Sequence, residues 1–274
     1  MSKIISIGVV LSLLVFMPAC KGSTTPAPPA VTVTSITVTS ASTMLKVGQT
    51  ETFTATCNMS NGTQQAATGT WSSDAGGVAQ VNASGLVTIM GAGNANIVMT
   101  QSGKTGSKGI RGVPDYQGTW GPGSYSVTTC TNTGDFIGVC DAMPPGTVLQ
   151  MTLILTQTQD LVSGTAYLGT LSAAATGQIA TNGQVTLTAR INDGSGILID
   201  LTYTLQSTVP AQITGTFFEL WTGTGAGLSG NAQLSCTIIS LSRTSPSPNE
   251  AAVMGSPLPK NATLQDIIRA IIRR

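Results

Sequence analysis

The chain has 274 residues, room for one large domain or two modest ones, and only 8% of them are charged. Twelve Lys and Arg stand against eleven Asp and Glu, a formal charge of +1, so no basic stripe exists to neutralise phosphates and nucleic acid is not an expected partner. Histidine is absent, which removes the commonest general base near neutral pH, the commonest nitrogen ligand for zinc, and any Ser-His-Asp or Cys-His site.

Low charge does not imply disorder here, because 41% of the residues are hydrophobic and many of them alternate along the chain. At the N-terminus, Lys3 is followed by an apolar stretch from Ile4 to Met17. A mature membrane-spanning helix needs roughly 20 residues, so this stretch reads as a targeting segment rather than a span. It ends in Met17-Pro18-Ala19-Cys20, and the whole resembles a bacterial lipoprotein signal. That resemblance implies cleavage after residue 19, a diacylglycerol on Cys20 and attachment to a membrane through acyl chains. Lys21, where an Asp would hint at inner-membrane retention, directs the expectation to the outer membrane. Residues 20–30 then form the anchor and a Pro-rich linker, stiff enough to lift a folded part off the surface.

From residue 31 to 112 the pattern is one of short strands. Ile36 and Val38 alternate with Thr, as do Phe53, Ala55 and Cys57, and Asn61-Gly62 is a turn signal. Strands at this spacing predict a sandwich. The order Val47-Gly48-Gln49-Thr50, Trp71-Ser72-Ser73, Val78, Val81, Gly85-Leu86-Val87-Thr88 and Ala92-Gly93-Asn94-Ala95-Asn96-Ile97 resembles bacterial Ig-like domains of group 2. The resemblance implies that Trp71 is the central core residue and that Gly85 and Gly93 shape tight turns. Asn94 and Asn96 stand where Thr is more usual. The family occurs in adhesins, envelope proteins and secreted enzymes, so it implies a location more than an activity.

Residues 115–245 are expected to form a second, antiparallel β domain. Candidate strands include residues 124–129, 148–156, 185–191, 197–205, 214–221 and 233–241. A Gly flanked by hydroxyl or amide residues recurs, as in Ser163-Gly164-Thr165, Thr176-Gly177-Gln178 and Thr214-Gly215-Thr216. Placed at strand starts, such a Gly permits a bulge or a bend. Repeated strand–turn–strand units predict an up-and-down sandwich or barrel. The opening Gly118-Thr119-Trp120 is similar to lipocalin-like barrels, and no residue role is carried over on it. Cys130 and Cys140 bracket a short loop and can close it as a disulfide, although Cys236 can pair with either. Cys57 reads as a small buried apolar residue.

Without histidine, acid–base chemistry would rest on carboxylates, and Asp200 and Glu219 are the candidates in this domain. Strand alternation puts Phe217, Glu219 and Trp221 on one face, a candidate ligand site for a sugar or a cation. The plainer expectation is a half-exposed sheet face with Glu219 solvated. No catalytic residue, metal ligand or cofactor site is assigned, and no phosphate-binding, nucleophile-elbow or calcium-loop motif is present. Residues 246–274 form a linker and tail, with an amphipathic helix expected from Thr263 to Arg274.

The sequence therefore predicts an all-β chain: an Ig-like β-sandwich, an antiparallel up-and-down sandwich or barrel, and a short C-terminal helix. The function it points to is non-enzymatic, an envelope lipoprotein whose Ig-like spacer presents a β module for adhesion, glycan contact or envelope assembly. Two alternatives stand beside it. One is a lipocalin-like carrier of a small apolar ligand, which needs an open cavity; the other is an accessory subunit of a secreted enzyme, which needs converging carboxylates.

Overall fold

The computed structural model describes residues 28–192, 194, 196–208, 211–224 and 227–247. The signal segment with Cys20 and the expected tail helix lie outside the described residues.

Ten short strands build the N-terminal domain. They are β1 (Val33–Thr39), β2 (Met44–Lys46), β3 (Thr50–Thr52), β4 (Thr54–Met59), β5 (Gln64–Ala66), β6 (Thr70–Ser73), β7 (Ala79–Val81), β8 (Leu86–Ile89), β9 (Gly93–Gln101) and β10 (Lys104–Val113). They pair into small sheets of order β1-β4-β5, β2-β10-β9-β6 and β3-β8-β7. The alternation seen in sequence is the burial pattern: Ile36, Val38, Val87, Ile89, Ile97 and Met99 face one core, while Thr37 between the first pair is exposed and Thr88 and Val98 between the others are half-buried. Phe53 marks the point where the chain leaves one sheet for another. Its N–H donates to the Gly85 carbonyl at 2.9 Å while its ring enters the core.

Gly85 has φ +84°, and a side chain there would meet the Phe53 carbonyl and the Trp71 ring. The turn thus requires glycine on two grounds. Trp71 itself is only half-buried and packs against the edge of the core. The centre belongs instead to Phe53, Ile97 and Met99, which corrects the central role that the resemblance implied for the Trp. Asn96 accounts for its departure from Thr, since its backbone N–H and its amide both donate to the Asp74 carboxylate, at 2.7 and 2.8 Å.

The second domain is a closed barrel of eight antiparallel strands. These are β11 (Gly118–Asn132), β12 (Val148–Thr158), β13 (Leu161–Leu168), β14 (Leu171–Ile179), β15 (Gln184–Asn192), β16 (Ile197–Thr208), β17 (Gln212–Gly223) and β18 (Asn231–Ser240), each paired with its neighbour in sequence. The 15-residue β11 is the seam: its first half pairs with β12 and its second half with β18. A short β19 (Arg243–Ser245) continues along the start of β11 where β18 has ended. Closure leaves no free sheet edge around the wall.

Gly164, Gly177 and Gly215 sit inside strands rather than at their starts, and the strand pairings run past them without a register shift. A Cβ at Gly164 would collide with the Ile154 carbonyl, and one at Gly177 with that of Thr186. Adjacent strands approach closely there, so these glycines serve the bending of the wall rather than bulges.

Candidate functional site

The structure places the three residues singled out on β17 together on the inner face of the barrel. Phe217, Glu219 and Trp221 are 3%, 0% and 0% exposed. A solvated Glu219 on a half-exposed face is therefore corrected: closing the sheet into a barrel turns that face inward.

Glu219 is held by neutral donors. Trp221 Nε1 donates to its Oε2 at 2.9 Å, and Cys236 Sγ lies 3.9 Å from its Oε1. The Tyr125 hydroxyl also hydrogen-bonds the carboxyl. Burial pushes the Glu219 carboxyl up to about 7, against the downward pull of the bonds from Trp221, Tyr125 and Cys236. Burial likewise raises the hydroxyls of Tyr125 and Tyr203, and Glu219 adds to both shifts. The three rings of Tyr125, Phe217 and Tyr203 pack in one layer, Phe217 lying 4.7 Å from Tyr125 and 5.0 Å from Tyr203 between centroids.

Both barrel ends are covered. At the end where β11 finishes, a 3₁₀ turn (Gly134–Phe136) and helix α1 (Ile137–Ala142) fold over the opening and bury Phe136, Val139 and Met143. The Cys130–Cys140 disulfide ties this plug to β11. Asp135 fastens it to the segment that leads into β18, the strand beside β11, by accepting from the Ser229 N–H at 2.7 Å and its hydroxyl at 3.1 Å. Cys236 and Cys57 remain free and buried.

At the other end, the segment between the domains is the stopper. The Tyr116 side chain enters the barrel, and its hydroxyl donates toward the carbonyls of Gly183 and Leu205, at 2.8 and 3.0 Å, while accepting from the Ser207 N–H at 3.0 Å. Gln157 reaches back to the same segment, accepting from the Tyr116 N–H and donating to the Pro114 carbonyl. Around this stopper lie ion pairs that join the domains. Lys46 and Arg243 both bind Asp115, at 2.7 and 2.9 Å, and Arg111 binds Asp160 at 3.0 Å. Burial alone would raise the Asp115 carboxyl, but the bond and charge of Lys46 and the charge of Arg243 outweigh it and hold the group below its ordinary value. Arg243 also stacks over Trp120, 4.5 Å from the ring centroid.

With both ends covered, side chains fill the interior. Trp120, Met151, Leu153, Leu187, Leu201 and Leu234 are at most 1% exposed, so no water-sized void opens onto them. Asp200 does not converge with Glu219. It lies on the outer face, where it forms a two-pronged pair with Arg190 at 2.5 and 3.0 Å.

The outer face carries a feature that the sequence reading missed. Strand register aligns Thr156, Ser163, Thr176, Thr188 and Thr202 in one row across five strands, and the row continues to Phe218 and Ser235. The next row runs Thr186, Thr204, Thr216, Thr237 and Ser126. Phe218, 38% exposed, is the aromatic side chain in the middle of these hydroxyls. The Thr-x-Thr spacing in Thr186-Leu187-Thr188 and Thr202-Tyr203-Thr204 was the signal in sequence, but the rows depend on register.

Residues 32–110 match the family described as bacterial Ig-like domain (group 2), and the N-terminal domain is a domain of this kind. No curated protein matches the chain. Among solved structures, domains 4–9 of the surface layer protein SbsC are similar at 12% identity with a TM-score of 0.25. That alignment covers 74% of this chain and 47% of the other, so the chain spans about half the length of that structure, at a level below a shared overall fold. The Ig-like domain and the Cys130–Cys140 disulfide point to an extracellular or cell-envelope protein.

Proposed function

We propose that this chain is a non-catalytic lipoprotein of the cell envelope, anchored through Cys20 at the outer membrane, in which the Ig-like domain holds the barrel away from the membrane and the barrel's outer wall contacts glycan. The observation that carries the reading is the pair of hydroxyl rows around Phe218 on a nearly uncharged wall. Sugars offer hydroxyls for such rows and an apolar C–H face for an aromatic ring. The filled interior weighs against the carrier alternative, since an apolar ligand would have to displace well-packed side chains. The opposed directions of Asp200 and Glu219 weigh against glycoside hydrolysis, which needs two carboxyl groups flanking one bond.

A screen of envelope polysaccharides and peptidoglycan fragments with the full mature chain tests the glycan reading. Binding is expected to fall at least tenfold on Phe218→Ala and on Thr204→Lys. Absence of binding to any glycan, or binding indifferent to both substitutions, refutes it. The anchor has a separate test: wild type incorporates labelled palmitate and Cys20→Ala does not. Equal labelling of the two rules out attachment through this cysteine.

A further inference from the structure

A carboxyl group sealed inside an apolar barrel calls for its own explanation, independent of what the outer wall contacts. Glu219 is fully buried and lies toward the plugged end of β17. The groups that face it are Tyr125 from β11, Tyr203 from β16, Trp221 from its own strand and Cys236 from β18. All are neutral over the ordinary pH range, because burial raises both tyrosines and pushes the Cys236 thiol well above its usual value. None of the ion pairs among the described residues includes Glu219. The Tyr203 hydroxyl is buried with no hydrogen-bond partner, a second polar group aimed into the same interior.

An unpaired ion in such surroundings costs several kcal/mol, and neutral donors offset only part of that cost. The neutral acid avoids it. The donors matter nonetheless, because Trp221, Tyr125 and Cys236 all favour the charged form. The site is thus set between two opposing pulls rather than locked in one state.

We propose that Glu219 is an internal proton-binding site that couples the packing of the barrel to pH. With the proton bound, the carboxyl is a neutral member of the filled interior. Loss of the proton to solvent leaves an uncompensated negative charge there, which weakens the β16–β17–β18 wall around it. The sign follows from the direction of the shift. A carboxyl whose folded pKa lies above its unfolded value gives stability that is whole below the unfolded value and is lost as pH rises through the folded one. The interval runs from the ordinary 4.5 to about 7. At tenfold per unit, the folding constant is expected to fall by about 300-fold across it.

The composition of the chain makes this measurable. With no histidine, few groups titrate between pH 5 and 8. The carboxyls of Asp74, Asp115 and Asp160 are all held below their ordinary values and so change lower down.

The experiment is urea unfolding of the full mature chain from pH 4 to 9, for wild type and Glu219→Gln. Wild type should lose stability with rising pH and the variant should be flat. A pH-independent wild type, or a variant with the wild-type slope, overturns the proposal. Should the glutamine variant fail to fold, infrared spectroscopy of the wild type decides instead. A protonated carboxyl band that persists at pH 6 and disappears near neutrality supports the site; its absence already at pH 6 overturns it. Amide hydrogen exchange in β16–β18, corrected for intrinsic rate, should be faster at pH 8 than at pH 5, and equal protection at the two would show that the charge does not loosen this wall.

Discussion

Trp221 donates its indole N–H to Glu219 Oε2 at 2.9 Å, two residues back along the same strand and on the same inner face of the barrel. The pair is possible because residues i and i+2 of a strand project together, and it is shielded because the strand belongs to a closed wall. Neither residue is accessible, so the bond acts on stability and on the charge state of the carboxyl rather than on a ligand.

Trp221→Phe keeps an aromatic ring and removes the donor. The lost bond is expected to destabilise the chain by about 1–3 kcal/mol, with the smaller ring adding to the loss. Because the Trp221 bond pulls the Glu219 carboxyl down, its removal should move that group further above its wild-type value. Urea unfolding reports the first effect and an infrared titration the second. An unchanged carboxyl midpoint would show that the bond does not tune the group.

Tyr116→Phe removes a hydroxyl that serves two carbonyls and one N–H at the base of the barrel. Leaving such buried groups without a partner costs about 1–3 kcal/mol. The change should appear as a lower urea midpoint. A midpoint equal to wild type would mean that water or neighbouring groups replace the hydroxyl.

The Cys130–Cys140 bond closes a loop with a sequence separation of 10, and that loop is the plug over the barrel. Loop-closure entropy gives its loss a cost of about 2–3 kcal/mol. Cys130→Ser/Cys140→Ser should be destabilised by that amount. Its amides at Phe136 and Val139 should also exchange faster than in wild type, and unchanged protection there would show that packing alone holds the plug.

Asp115 bridges Lys46 of the Ig-like domain and Arg243 of the barrel. Its carboxyl is held below the ordinary value, so its contribution is present above an unfolded value near 3.8 and is lost as pH falls through the lower folded value. The group is about one-third exposed, so solvent screening keeps the effect small. Asp115→Asn should cost about 1 kcal/mol or less near neutral pH and lose that difference in strong acid. Residual dipolar couplings should show the two domains less rigidly aligned in the variant, and identical alignment would assign the rigidity to Tyr116, Gln157 and the Arg111–Asp160 pair.

Much of the fold was legible because the alternation of apolar and hydroxyl residues is itself the cause of the sheets. Ile36 and Val38, Val87 and Ile89, and Ile199, Leu201 and Tyr203 are buried with polar residues between them. Strands β13 and β14 were harder to read. In Leu171-Ser172-Ala173-Ala174-Ala175-Thr176 the inner and outer positions are both small, so the period of two has little contrast although the burial alternates. The disulfide was one of several pairings that sequence spacing allowed. The burial of Cys236 against Glu219 and the closure of the plug select Cys130 with Cys140.

The sequence alone determined that the chain is all-β, that an Ig-like domain comes first, and that Phe217, Glu219 and Trp221 share a face. These are consequences of local periodicity and of motifs within one segment. Only the tertiary structure decided which way that face points, because inside and outside are defined by the pairing of β11 with both β12 and β18. That long-range closure buried a carboxyl the sequence expected to be solvated, and it aligned on the opposite surface threonines that lie far apart along the chain.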